Sequence, residues 1–204
     1  MEMEDMTLGQ FLKSLASKAP APGGGGASAL AGALGAALGA MVGNLTIGKK
    51  KYAAVEAEMT ELTQRAQDLS KKLLALVDED AAAFEPLSRA YAIPKDDPDR
   101  DEVMEQCLRR AAEPPMETVR LCCEAIELQE GFAAMGSTLA VSDAATGVVM
   151  CWGAMYGAAV NVKVNTRLMK DRTYAEAINQ EVDILMDKYR KRAEKVYEDI
   201  YKDY

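Results

Sequence analysis

Gly35, Gly39 and Gly43 recur every four residues inside a run from Ala27 to Leu45 that carries no charge. Glycine costs about 1 kcal/mol per helical position relative to alanine. Three in register on one helix face therefore need a compensating gain, and close backbone-to-backbone packing is the usual one. Leu30, Leu34 and Leu38 repeat at the same interval on another face. A second run, Ala144 to Val162, is nearly uncharged and rich in small residues, among them Gly147, Gly153 and Gly157. A helix that is apolar all round is buried in protein or in lipid. Both runs are long enough to span a bilayer, and their small-residue spacing would suit a membrane hairpin. Against that reading, alanine and glycine contribute little to transfer into lipid, and polar Asn44, Asn161 and Asn165 sit at the run ends. The expectation is two buried helices at the centre of a helical assembly, with a subunit interface as a further place for their apolar surface.

The remaining segments read as helices too. Thr7-Leu8-Gly9-Gln10 has the form of a capping box and predicts a first helix to about Lys18. Pro20 and the glycines Gly23 to Gly26 place the start of the central helix near Ala27 or Ser28. After Lys51, the positions Tyr52, Val55, Met59, Leu62, Ala66, Leu69, Leu73 and Leu76 alternate steps of three and four, which predicts a long amphipathic helix. Asp80 takes the next place on that stripe before Ala83 and Leu87 resume it. A helix over about 99–112 is expected to stop at Pro114-Pro115, and another to run on to about Gly131. Ser142-Asp143 opens the second uncharged helix, whose last turns reach Arg167, and Thr173 with Glu176 offers a capping box for the last. With no strand signal and no internal repeat, residues 1–204 are expected to form one all-α domain, a bundle of long helices.

Composition narrows the function. A net charge of -8 argues against nucleic acid as partner. No charged segment precedes an apolar one at the N-terminus, so secretion is not expected and a cytoplasmic setting is. Cys107, Cys122, Cys123 and Cys151 show no CxxC spacing and read as reduced thiols. The chain contains no histidine. That removes the commonest general base, the commonest metal ligand and the usual nucleophile pairs. Proton transfer must then fall to Asp, Glu, Lys, Tyr or Cys, and no metal site is expected.

The glycine loop has two readings. It is either a breaker that starts a helix, or a ligand-facing loop in which the N–H groups of Gly24, Gly25 and Gly26 and the positive helix end meet an electron-rich group. It matches neither the phosphate-binding loop, whose lysine and Ser/Thr are missing, nor the dinucleotide fingerprint, since no strand precedes it.

Five stretches together resemble one family: LASKAPAPGGGGA (15–27), MVGNLTIGKKKY (41–52), VDEDAAAF (77–84), AVSDAATGV (140–148) and AAVNVKVNTRLMKD (158–171). In order and over most of the chain, they are similar to the formiminotetrahydrofolate cyclodeaminase / methenyltetrahydrofolate cyclohydrolase family. The double proline followed by Cys122-Cys123 looks more like its stand-alone bacterial cyclohydrolase branch. One departure stands out: where the family often has an Asn-Pro-Asn-like segment before the Ser-Asp pair, this chain reads Gly136-Ser137-Thr138-Leu139. The resemblance implies an all-helical homodimer acting on a tetrahydrofolate one-carbon adduct, with no metal or separate redox cofactor. The reaction implied first is hydrolysis of 5,10-methenyltetrahydrofolate to 10-formyltetrahydrofolate. The alternatives are ring closure of 5-formiminotetrahydrofolate with loss of ammonia, and a non-enzymatic folate-binding module.

Either reaction passes through a tetrahedral carbon between N5 and N10 and needs a group that moves protons, while a carboxylate stabilises the cationic carbon. Without histidine, Asp143 and Asp80 are the candidates. The plain alternatives are an N-cap for Asp143 and a structural partner or a drift in phase for Asp80. Carboxamides suit pterin edges, which points to Asn44, Asn161 and Asn165, the last two also reading as interhelical hydrogen-bonders. Lys49, Lys50 and Lys51 suit the glutamate tail of folate, or form a solvated cluster.

Overall fold

The computed structural model describes residues 3–204. Six α-helices carry the chain: α1 (Leu8–Leu15), α2 (Gly24–Asn44), α3 (Glu56–Ala90), α4 (Arg100–Met135), α5 (Val141–Thr166) and α6 (Arg172–Tyr201). Short 3-10 turns occupy Met3–Asp5 and Lys50–Val55, and no strand occurs among the described residues. The all-α expectation holds.

α2 is the centre, touching α3, α4 and α5. Its glycines are what let three helices approach it. A Cβ at Gly35 would lie 2.8 Å from the Gly147 carbonyl oxygen of α5, and one at Gly43 would collide with Thr63 of α3. α2 and α5 run antiparallel, since Gly24 faces Asn161 while Gly35 faces Gly147. Both helices are long and apolar enough to cross a membrane by length and composition, yet each is partly enclosed by the bundle. Their outer faces are not. Leu34, Met41 and Leu45 at the α2 end and Val149, Tyr156, Val160 and Val164 of α5 are exposed, Val160 to 63%.

α3 buries the stripe read from the sequence, with Met59, Ala66, Leu69, Leu73, Leu76, Ala83 and Leu87 all enclosed. Burying each leucine contributes about 1.5–3 kcal/mol. Tyr52 and Val55 are not part of it, because the backbone makes a 3-10 turn until Glu56.

Four boundaries differ from the expectation. α1 ends at Leu15, short of Lys18, although its capping box forms as read, Thr7 and Gln10 each accepting the other's backbone N–H. α2 begins at Gly24, so the glycines form its first turn rather than a preceding loop. α6 is capped by Asp171, which accepts the Tyr174 N–H at 3.0 Å and pairs with Arg109, rather than by Thr173. Most notably, Pro114-Pro115 does not break α4, which is continuous from Arg100 to Met135. A proline inside a helix leaves the carbonyl four residues back without its partner. For Pro115 that carbonyl belongs to Ala111, and Asn165 Nδ2 of α5 donates to it at 2.9 Å. Tertiary structure thus supplies the bond that local sequence removed.

Candidate active site

The residues singled out in the sequence gather at the two ends of the antiparallel α2/α5 pair. At the first end, where α2 begins, Asp80 of α3 points at the glycine turn, and the Gly26 N–H donates to its Oδ2 at 3.0 Å. A Cβ at Gly25 would lie only 2.6 Å from the carboxyl carbon, so glycine there makes the room the carboxyl occupies. The electron-rich group expected at this helix N-terminus is therefore one the chain itself provides. Burial raises the Asp80 carboxyl above the usual carboxylate range, and the Gly26 N–H only partly opposes this. No lysine or arginine among the described residues pairs with it. A half-buried carboxyl with a raised affinity for its proton, on a helix face that is otherwise apolar here, has the properties of an acid.

Asn161 stands beside it. Its Nδ2 donates to the Gly157 carbonyl one turn back at 2.8 Å, and its carboxamide faces Gly24. Asn165 donates to Ala111 and to the Asn161 carbonyl. The interhelical reading of Asn165 is thereby accounted for, since it satisfies the carbonyl that Pro115 frees. Asn165→Val should leave that carbonyl bare at a cost of about 1–3 kcal/mol. Each kcal/mol lowers the melting temperature of a chain this size by about 2–4 °C, which a thermal melt by circular dichroism reads.

The second end lies where α2 finishes and α5 starts, about 30 Å away at 1.5 Å per residue. Asn44 closes α2 and is exposed, lining a surface groove of about 490 Å³ with Met41 and Lys71. Lys49 Nζ donates to Ser137 Oγ at 3.2 Å, while Lys50 and Lys51 stand exposed on the 3-10 turn. Asp143 lies in the first turn of α5, half-buried. It does not cap: the N-cap is Ala140, and the Asp143 carboxylate makes no hydrogen bond among the described residues. What remains is a free carboxylate that the helix N-terminus stabilises. Beside it open a cavity of about 680 Å³ walled by Gly136, Thr138, Val141 and Lys195, and a cleft of about 350 Å³ walled by Ser142, Thr146, Val149, Tyr197 and Tyr201.

Within one chain, then, the structure brings Asp80, Gly24, Gly25, Gly26, Asn161 and Asn165 together, and separately groups Asn44, the three lysines and Asp143. It does not join the two groups. The arrangement around Tyr52 is not visible in the sequence. Its hydroxyl accepts the Thr138 N–H at 3.0 Å, and the only local signal is its place as the last letter of the lysine motif. Three of the four cysteines add no nucleophile: Cys122, Cys123 and Cys151 are buried, and burial pushes their thiols up, to about 12 for Cys123 and Cys151. No group of three or more Cys, Asp or Glu side chains suited to a metal occurs among the described residues.

Comparison with known proteins gives a consistent picture. Residues 7–184 match the family model described as formiminotransferase-cyclodeaminase. The chain is 38% identical over 198 residues to a methenyltetrahydrofolate cyclohydrolase of Methylorubrum extorquens, with 95% of each chain covered. It is 32% identical over 196 residues to a formimidoyltransferase-cyclodeaminase of Dictyostelium discoideum, covering 96% of this chain and 36% of that longer protein. The crystal structure of a formiminotetrahydrofolate cyclodeaminase from Thermotoga maritima superposes with a TM-score of 0.86 at 28% identity, covering 98% of this chain and all of that one.

Proposed function

This chain belongs to the formiminotransferase-cyclodeaminase family, and from that membership we propose that it hydrolyses 5,10-methenyltetrahydrofolate to 10-formyltetrahydrofolate. The observation that carries the choice is its 38% identity, across 95% of both chains, to a methenyltetrahydrofolate cyclohydrolase. The likeness to the Thermotoga cyclodeaminase favours the second reading, ring closure of 5-formiminotetrahydrofolate with release of ammonia. The enzyme works in the cytoplasm as a homodimer, without metal or redox cofactor.

Dimerisation is supported by the exposed apolar faces of α2 and α5 and by the separation of the two residue groups. A twofold axis crossing the middle of this face would lay the start of one α2 against the end of its partner's α2. Packed helices lie about 8–10 Å apart. Asp80 and the glycine turn of one protomer then share a cleft with Asp143, Lys49 and Tyr52 of the other. In that cleft the Asp143 carboxylate stabilises the cationic methenyl carbon, and the Asp80 carboxyl, when it carries its proton, hands it to N5 as the C–N5 bond breaks. Asn44 and Asn161 meet the pterin or amide edges, and one of Lys49, Lys50 and Lys51 meets the glutamate tail.

The test is an assay of both substrates with the purified, chelator-treated protein. Methenyltetrahydrofolate should be consumed catalytically, with kcat/KM for it exceeding that for the formimino substrate, and EDTA should leave the rate unchanged. Faster ammonia release from the formimino substrate would select the second reading. Loss of activity on chelation, restored by one metal, would overturn the metal-free mechanism.

A further inference from the structure

The proposed hydrolysis leaves one step without a residue, the removal of a proton from the attacking water. In a chain without histidine, a base for that step has to be built from an unusual group. The Tyr52 hydroxyl is placed as one. It accepts the backbone N–H of Thr138 at 3.0 Å, with Thr138 Oγ1 at 3.5 Å. Lys51 Nζ lies 5.2 Å from the centre of the Tyr52 ring. The loop that brings these donors is itself fixed: the Ser137 N–H donates to Thr46 Oγ1 at 2.8 Å, and that hydroxyl donates to the Val42 carbonyl at 2.7 Å. Both Thr46 and Ser137 are 1% exposed, so the donor array is anchored in the core while Tyr52 is only half-buried, leaving its ring within reach of solvent.

We infer that Tyr52, as a phenolate, takes the proton from the water that attacks the methenyl carbon. The groups around its oxygen favour the phenolate: the Thr138 hydroxyl first, then the Thr138 backbone N–H, which donates at 3.0 Å, and more weakly the Ser137 hydroxyl and Lys51. Against burial, which opposes them more strongly than Ser137 or Lys51 helps, they bring the phenol from its ordinary value near 10 to about 7. Segment 136–142 facing it carries no charge, and the first charged residue beyond it in sequence is Asp143. A base is most effective when its pKa lies near the working pH. The step balances. Water loses one proton to the phenolate and its oxygen bonds to the carbon. The C–N5 bond then breaks as N5 receives the Asp80 proton, and the carbinol proton, released as the formyl C=O forms, restores Asp80. Tyr52 returns its proton to solvent, so one proton leaves per turnover.

This inference rests on the hydrolase reading, and one of its two tests does not. In a spectroscopic titration of the full-length protein, the tyrosinate band should rise through one step near pH 7, absent from Tyr52→Phe. In the methenyltetrahydrofolate assay, Tyr52→Phe should lose about 10²–10⁴-fold in turnover with an unchanged melting curve and KM. The acid limb of the wild-type pH profile should move to lower pH when Tyr52 is replaced by a ring-fluorinated tyrosine, and to higher pH in Lys51→Met. A titration with no step near neutrality overturns the inference, as does a folded Tyr52→Phe variant within a few-fold of wild-type turnover. A wild-type protein that titrates as expected but leaves methenyltetrahydrofolate untouched would instead remove the hydrolase reading.

Discussion

Asp80→Asn should lower methenyltetrahydrofolate turnover by about 10²–10⁴-fold, the range for a lost acid–base group, and Asp143→Asn by about 10²–10³-fold, the range for one lost charge-stabilising group, each while leaving the protein folded. The two variants differ in what they do to stability. Burial raises the Asp80 carboxyl, so the folded protein holds that proton more tightly than the unfolded chain does. The stabilising contribution is then present at low pH and is lost as pH rises through the folded pKa. Asparagine keeps the shape and an oxygen for the Gly26 N–H but cannot ionise. Asp80→Asn should therefore melt at the same temperature as wild type in acid, and at the same or a higher temperature at neutral pH. Stability gained where activity is lost marks a group held in place for its chemistry. Asp143 caps nothing and makes no hydrogen bond among the described residues, so its asparagine variant should melt within about 0.5 kcal/mol of wild type. Differential scanning calorimetry across pH, set beside steady-state kinetics, checks both. A neutral-pH stability loss in Asp80→Asn would point to an ion pair instead of an acid.

The second large effect concerns the centre of the bundle. At Gly35 a methyl group would meet the Gly147 carbonyl oxygen at 2.8 Å and the Cys151 backbone nitrogen at 3.1 Å. Backbone atoms cannot move aside as a flexible side chain does. Gln129 also donates to the Gly35 carbonyl at 2.7 Å from within the core, so parting α2 from α5 would disturb α4 as well. Gly35→Ala should cost about 1–3 kcal/mol from overpacking, and Gly35→Leu should prevent a stable native state. At Gly153 an added methyl group would have no atom within 4 Å, which makes it the control. Gly153→Ala should be neutral or slightly stabilising, since alanine is the better helix former. Thermal melts of the three variants decide it, and a normal melt for Gly35→Leu would contradict close packing of the two helices.

Sequence carries the fold well because its strongest signals are periodic and local. The stripe from Met59 to Leu87 and the spacing of Gly35, Gly39 and Gly43 each report one helix face, and burial follows that face directly. It fails where a distant residue decides. Pro115 reads as a stop, and only the Asn165 side chain arriving from α5 makes a continuous α4 possible. The site is half legible for the same reason. Asp80 shows as a carboxyl breaking an apolar stripe, and its glycine partners show as a loop, but nothing local says that the two meet. Tyr52 is unreadable, because its character comes from the backbone N–H and hydroxyl of Thr138, 86 residues along the chain. The separation of Asp80 from Asp143 depends on the antiparallel course of α2 and α5, which sequence spacing does not encode.

A catalytic cleft that takes Asp80 from one protomer and Asp143 from its partner has a distinctive signature when subunits are mixed. Co-expression of Asp80→Asn and Asp143→Asn chains under two different affinity tags, followed by the methenyltetrahydrofolate absorbance assay on the mixed population, reads that signature directly. In a mixed dimer one cleft would carry both substitutions and the other neither. With random pairing by a twofold interface, activity should recover to about one quarter of wild type, although each variant alone is nearly inactive. Activity that stays at the level of the separate variants would contradict the shared cleft.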